Sequence, residues 1–401
     1  MTFATGQISD QESERTGLVS GHAYAMLDIK FVNNQKLFLL KNPWSHMRWK
    51  GRFSERDTTS WTSHMKSALN FDPMKAQNFD NGIFWIDIDS LFQFFDVAYL
   101  SWNPEIFNYS FTTHDIWNAG VGPAKDIYYI GDNPQYSLTV KSQNCSVWIV
   151  LTRHIMDHND FANNKEYIAL LVYKNNGEKV YYPRKFFFFF HFYYNIFYPS
   201  LIDDPAPYID GARINSPHYL CKIIVNKDNP IQRYTLVVSQ YEKSKTILYS
   251  LRAYSTADFL LKKIPNIYRY KETDKNGKWT SENAGGCPNN RNTYHLNPVY
   301  QFDLKGSSRD EDNDVMIELR GPKDYAVGLE LTSVSLINQN SINAFNRRDS
   351  GSYRNGFTYL RVKNIPTGTY NIVPATFNSG QLGSFFLTIN STHPISFKKI
   401  K

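Results

Sequence analysis

One series of short motifs runs twice through this chain, at a spacing of about 160 residues. Trp117 is followed by Asn133-Pro134-Gln135-Tyr136-Ser137-Leu138, and Trp279 by Asn297-Pro298-Val299-Tyr300-Gln301-Phe302. Val147-Trp148-Ile149-Val150-Leu151 answers to Val315-Met316-Ile317-Glu318-Leu319, Tyr167 to Tyr173 answers to Tyr325 to Leu331, and Tyr234 to Tyr254 answers to Tyr370 to Asn390. Asn-Pro fixes a turn ahead of a strand, and the aromatic residue two places later can point into a sandwich. Chance likeness between β-rich segments does not keep four blocks in one order. Two tandem copies of an antiparallel β-sandwich explain that order better than a single large sheet.

The composition agrees. Phe, Trp and Tyr make up 16% of the 401 residues and charged residues only 20%, a mixture too aromatic for disorder and favourable to strands. The fold class is therefore mainly β with some α, in two or three domains. Clear helical signals lie early, at Ser60 to Leu69 and at Ile88 to Phe95, where Asp87 and Asp89 sit at the helix start. The net charge of +7 is spread along the chain, so it leans only weakly towards anionic partners. Aromatic-basic interleaving suited to single-stranded nucleic acid is not evident. Cys145, Cys221 and Cys287 lie far apart with no CxxC spacing, and no cationic-apolar leader opens the chain. The expectation is a cytoplasmic, disulfide-free protein with no bilayer-spanning helix.

The chemistry is concentrated near the start. Gly21 to Ile29 reads as a strand, Asn33-Asn34 as a turn and Leu37 to Trp44 as the return strand. His22 opens one strand and Asn42 closes its neighbour. A turn at Asn33-Asn34 sets His22 across from about position 45, which leaves Asn42 about three residues, roughly 10 Å, short. A His–Asn pair thus needs a bulge or a stagger. In cysteine proteases such a pair divides the chemistry, since the imidazole holds the thiol proton and the Asn carbonyl fixes the ring. Trp44 is placed to shield that hydrogen bond. Taken alone, neither His22 nor Asn42 is diagnostic.

Gly21-His22-Ala23-Tyr24, Leu40-Lys41-Asn42-Pro43-Trp44-Ser45, Trp49-Lys50-Gly51 and Gly82-Ile83-Phe84-Trp85-Ile86 together resemble the second half of the calpain protease core. Ala284-Gly285-Gly286-Cys287 with Asn297-Pro298 is similar to the C2-like sandwiches that follow that core in the atypical, PalB-type calpains. The resemblance implies a papain-like β-rich half-core at 1–103, a first C2-like sandwich at 104–270 and a second at 271–401. It implies that His22 and Asn42 are catalytic, with Trp44 supporting them, in a thiol endopeptidase acting in limited intracellular proteolysis.

The nucleophile has no counterpart, because no Cys precedes His22. The expectation is a fragment that is inactive alone and pairs with a missing N-terminal half of the protease core to act on protein substrates. The other reading is a short, non-catalytic calpain-like module that meets membranes or proteins through its C2-like domains. No cofactor is expected. Where conventional calpains hold calcium in this half-core, the matching positions here are Arg48, Asn81 and Ile83, with only Glu55 acidic, so no metal is expected. Asp310-Glu311-Asp312-Asn313-Asp314 reads as a solvated acidic loop, with calcium or membrane binding by a C2-type loop as the alternative, and Lys262-Lys263 and Arg347-Arg348 read as parts of a mixed surface, with contact to anionic lipid or protein as theirs. The aromatic run within about 184–202 interrupts the family pattern. It reads as a retained intron, with a genuine loop insertion as the alternative.

Overall fold

The computed structural model describes residues 1–79, 81–122, 129–157, 166–183, 206–226, 233–241, 244–307, 310 and 312–401. The aromatic run lies outside these residues, as does Glu311 of the acidic loop. The chain divides into two compact units, Met1–Ile106 and Phe107–Lys401.

The first unit is a mixed sheet-and-helix body. Its antiparallel sheet is formed by β1 (Thr2–Ala4), β2 (Ala23–Val32), β3 (Gln35–Lys41), β4 (Ile83–Asp87) and β5 (Val97–Tyr99), in the order β4-β3-β2-β1-β5. Asn33 and Asn34 both take positive φ, 46° and 63°, which is the left-handed pair that a two-residue hairpin requires. Tyr24, Leu40, Phe84 and Ile86 form a core with Phe3, Leu18 and Phe95 on one side, and Leu37 and Trp85 form another with Phe53, Trp61 and Met65. Of the two expected helices, α4 (Ile88–Phe94) begins where foreseen, with Asp87 accepting from the N–H of Ser90. The other, α2 (Ser63–Ala68), starts three residues later than expected and is capped by Thr62. Asp57 accepts the N–H groups of Thr59 and Ser60, so those residues close a turn instead of opening a helix. Between them, α1 (Asp10–Thr16) and α3 (Pro73–Ala76) complete the helices of this unit among the described residues.

In the second unit the repeat becomes two antiparallel sandwiches. The first contains β6 (Tyr109–Trp117), β7 (Gln135–Val140), β8 (Cys145–Arg153), β9 (Tyr167–Tyr173), β10 (Pro207–Asp210), β11 (His218–Val225), β12 (Arg233–Tyr241), β13 (Ile247–Ser255) and β14 (Phe259–Lys263). Its sheets run β10-β9-β12-β7-β14 and β11-β8-β13-β6. The second contains β15 (Tyr270–Trp279), β16 (Tyr300–Leu304), β17 (Val315–Arg320), β18 (Ala326–Leu336), β19 (Arg347–Asp349), β20 (Arg354–Asn355), β21 (Phe357–Val362), β22 (Gly368–Thr376), β23 (Gly383–Ser391) and β24 (Ile395–Lys399). Its sheets run β19-β18-β22-β16-β24 and β21-β17-β23-β15, with β20 beside β18. Read in parallel, the two strand orders are the same.

The motifs sit at equivalent places in both copies. Trp117 and Trp279 are each 2% exposed and end the first strand of their sandwich. Tyr136 donates to Asp115 at 2.9 Å, and Tyr300 donates to Asp274 at 2.6 Å, each joining the second strand to the first across the core. Asn133 donates to the carbonyl of Val238, whereas Asn297 bonds Gly285 N–H, Gly286 O and Tyr294 O, which ties the Ala284-Gly285-Gly286-Cys287 segment to the turn. The alternating burial of Val147, Ile149 and Leu151, and the near-continuous burial from Val315 to Leu319, fill the two cores. The architecture is thus a β-rich body followed by two sandwiches, as the sequence led us to expect.

Candidate active site

His22 and Asn42 meet. The imidazole Nε2 lies 2.9 Å from Asn42 Oδ1. A bulge closes one of the three missing residues: Asp28 faces Leu39 and Met26 faces Leu40, so Leu27 has no partner in the ladder, and the two side chains span the two-residue diagonal that remains. This shift also decides the face. With the bulge, Ala25 pairs with Lys41, so Asn42 lies on the same side of the sheet as Tyr24 and His22. A regular ladder from the Asn33-Asn34 turn pairs Asn42 with Ala25 instead and turns its amide to the opposite face.

The amide orientation follows from its neighbours. Asn42 Nδ2 donates to the carbonyls of His46 and Met47 at 2.8 and 2.9 Å, which leaves Oδ1 to face the histidine and to accept the N–H of Trp44 at 3.0 Å. Because Oδ1 can only accept, Nε2 carries the ring proton, and Nδ1 is the nitrogen free to take a proton. The loop achieves this by placing Ser45 and Met47 at φ 65° and 62°, which turns two carbonyls inward at a cost in backbone strain. Asn42 is fully buried, and Trp44, half exposed, lies with its ring centroid 4.3 Å from the imidazole. Trp44 thus lies against the imidazole face.

Further residues hold the site that the motif reading missed. Thr5 Oγ1 accepts the N–H of His22 at 3.0 Å, and Thr5 N–H donates to the His22 carbonyl. Tyr24 packs edge-on against the imidazole at 5.0 Å, and its hydroxyl accepts from Val19 N–H. Burial raises the pKa of that phenol. The carbonyl of Gly82 receives Asn42 N–H at 2.8 Å. Tyr24 was legible in principle, since it lies two residues from His22 on the same strand face.

The three thiols are all buried and unpaired, Cys145 and Cys221 in the first sandwich and Cys287 in the second. Burial pushes the Cys221 thiol up to about 12, and it raises that of Cys145 too, the reverse of what a nucleophile requires.

The residues at the positions matched to calcium ligands do not fit a cation. The Arg48 guanidinium lies 3.5 Å from Glu55 and donates to the carbonyl of Ala76, so a fixed positive charge already stands against the one carboxylate. Asn81 accepts the N–H of Ile83, whose own side chain is aliphatic. Among the described residues no group of three or more His, Cys, Asp or Glu side chains is arranged to hold a metal. The acidic loop also differs from the solvated loop expected. Asp310 is buried and accepts from Ser341, while Asp314 holds Arg361 and the N–H of Asn364. The basic doublets are engaged locally: Lys263 pairs with Asp115, Arg347 with Glu330, and Arg348 lies over Phe345. No helix among the described residues is long and apolar enough to cross a membrane.

Comparison with known proteins identifies the family. Residues 1–101 match the family described as calpain family cysteine protease, and residues 275–390 match calpain large subunit, domain III. The chain is 47% identical over 403 residues to calpain-7 of Mus musculus, covering 100% of this chain and 46% of that protein. Calpain-7 of Homo sapiens gives the same identity and coverage. The calpain-like protease palB/RIM13 of Aspergillus oryzae is 29% identical over 413 residues, covering 98% of this chain and 43% of that protein. The chain therefore spans about half the length of the curated relatives it matches. With both family matches and similarity to these proteases along the whole of these 401 residues, the chain belongs to the calpain family.

Proposed function

We propose that this chain supplies the histidine and asparagine of a calpain-type cysteine endopeptidase, active in limited intracellular proteolysis of protein substrates. The nucleophilic Cys comes from a part of the protease core that these 401 residues do not contain. The observation that carries this reading is the 2.9 Å bond from His22 to Asn42, with the amide locked so that His22 Nδ1 is the free base. In the reaction the thiol proton passes to Nδ1, and the thiolate sulfur attacks the peptide carbonyl carbon. The resulting oxyanion collapses as the C–N bond breaks, and the leaving amine takes the proton back from Nδ1. A thioester remains, and His22 next deprotonates the water that hydrolyses it. The two sandwiches, read as C2-like domains, position substrates or meet protein and membrane partners.

The test uses a polypeptide that includes the Cys-bearing half. His22→Ala should lower kcat/KM by about 10²–10⁴-fold, and Asn42→Ala by less, because Asn42 orients the base without carrying the proton. Small and equal effects remove the assignment. Thiol-dependent peptide cleavage by the 401-residue chain alone contradicts it as well.

A further inference from the structure

The two sandwiches touch along a seam in which Tyr181 and Tyr182 of the first pack on Met316, Phe357 and Tyr359 of the second. Beside it lie two openings of about 570 and 680 Å³, whose walls share Glu178, Lys179, Tyr181, Arg361 and Lys363. These volumes suit a small molecule.

The hydrogen-bonding capacity left in these walls is rich in donors. Tyr181 is 6% exposed, and its hydroxyl has no hydrogen-bond partner among the described residues. Arg361 Nε is buried without a partner in hydrogen-bond geometry, while the guanidinium lies over the Tyr181 ring at 5.3 Å and interacts with the Tyr268 hydroxyl. Lys179 is partly buried and, among the described residues, forms no ion pair, although the Asp132 carboxylate acts on it at longer range. The acidic side chains nearby are mostly committed. Glu178 pairs with Lys363 at 2.5 Å, Asp314 with Arg361 at 3.3 Å, and Asp349 accepts from Gly351 N–H, while Asp312 is exposed.

A buried donor without an acceptor is a standing cost that a bound acceptor relieves. An ammonium, a guanidinium N–H and a phenol, contributed by both sandwiches, call for a ligand group with several anionic oxygens. A carboxylate has two such oxygens and a phosphate has three or more. We propose that the cleft between the sandwiches binds a small ligand through a phosphate group, with Lys179 and Tyr181 donating from one sandwich and Arg361 from the other. Occupancy then ties the two sandwiches together, and it does so independently of any peptidase chemistry.

The experiment is calorimetric titration of the full 401-residue chain with sodium phosphate and with inositol 1,4,5-trisphosphate. The expected result is one saturable site, tighter for the trisphosphate, with a Tm that rises on ligand addition. Lys179→Met and Tyr181→Phe keep the aliphatic stem and the ring, so both variants should fold, Tyr181→Phe with an unliganded Tm equal to or above the parent's because it removes a buried hydroxyl that has no acceptor. Each should weaken binding at least about fivefold. A second arm uses vesicles containing phosphatidylinositol 4,5-bisphosphate. Vesicle binding that soluble trisphosphate displaces assigns a lipid headgroup as the phosphate source, and soluble binding without vesicle binding assigns a free phosphate ester. Absence of saturable binding of both soluble probes overturns the proposal. So does binding that neither variant alters, or vesicle attachment that the trisphosphate leaves in place.

Discussion

At Asn42 every polar atom of the amide is committed, Oδ1 to His22 and Trp44, Nδ2 to two carbonyls of its own loop. Such a residue is intolerant of backbone movement, and Gly82 is the position that sets its backbone. A Cβ on Gly82 falls 2.5 Å from the Asn42 carbonyl oxygen, at a φ of +73° that strains any other residue. Gly82→Ala should therefore cost about 1–3 kcal/mol in thermal or chemical denaturation. In a Cys-bearing polypeptide it should also lower turnover. A neutral Gly82→Ala shows that the Asn42 loop is softer than its hydrogen bonds indicate. A second residue-level prediction concerns Arg48, whose guanidinium faces Glu55. Calcium titration of residues 1–106 should give no site in the micromolar range, and heat of binding in that range removes the argument from charge.

The β2–β3 hairpin decides whether His22 and Asn42 share a face, and it does so through one unpaired residue. Deleting Leu27 regularises the ladder and still leaves Ala25 across from Lys41, so the His22–Asn42 pair and the activity it supports should survive. Deleting Leu39 from the opposite strand has the contrary effect. Asn42 then either turns to the other face or moves two residues further from His22, and activity should be lost. Circular dichroism checks that each variant folds, and peptide cleavage by the Cys-bearing polypeptide reads the site. Equal activity of the two deletions shows that register does not govern the pair.

This hairpin also marks what could be read from the residues alone. The strands, the Asn33-Asn34 turn and the identity of the pair were legible, because alternation and turn chemistry are local. The bulge was not, since Ala23-Tyr24-Ala25-Met26-Leu27-Asp28-Ile29 carries apolar residues on both faces and pattern cannot locate a shift in it. The same limit applies at Ser60, where the side chain of Asp57, a tertiary-independent but non-periodic signal, delays the helix to Ser63. Motif identity exposed His22 and Asn42. It did not expose Thr5 or Gly82, whose contributions run through backbone atoms.

For the molecule as a whole, the seam between the sandwiches turns on Glu318, a carboxylate buried among aromatic rings and bonded by the hydroxyl of Tyr182. Burial raises the pKa of this group, so the folded state disfavours its charge. Its contribution to stability is therefore fully present below the ordinary glutamate range and is lost as pH rises through the raised value. Glu318→Gln keeps an acceptor for Tyr182 without the charge, and at pH 7 it should match or exceed the parent in stability. Glu318→Ala leaves the Tyr182 hydroxyl buried without an acceptor and should cost about 1–3 kcal/mol. Denaturant unfolding of both variants checks the pair of outcomes. A more stable alanine variant shows that the tyrosine hydroxyl finds another acceptor.

The shared strand order of the two sandwiches bears on how the chain comes to be assembled. A strand of one copy has a geometrically valid seat in the other, so a denatured chain set free all at once can exchange equivalent strands between copies. Ribosomal synthesis removes that ambiguity by delivering residues 109–263 before β23 and β24 exist, which lets the earlier copy close on its own strands. Recovery from denaturant should thus fall short of yield during synthesis. The side chains at matched places differ, His114 with Ser250 in one sandwich and Thr273 with Thr388 in the other, so an exchanged strand brings together pairs that neither native sheet contains.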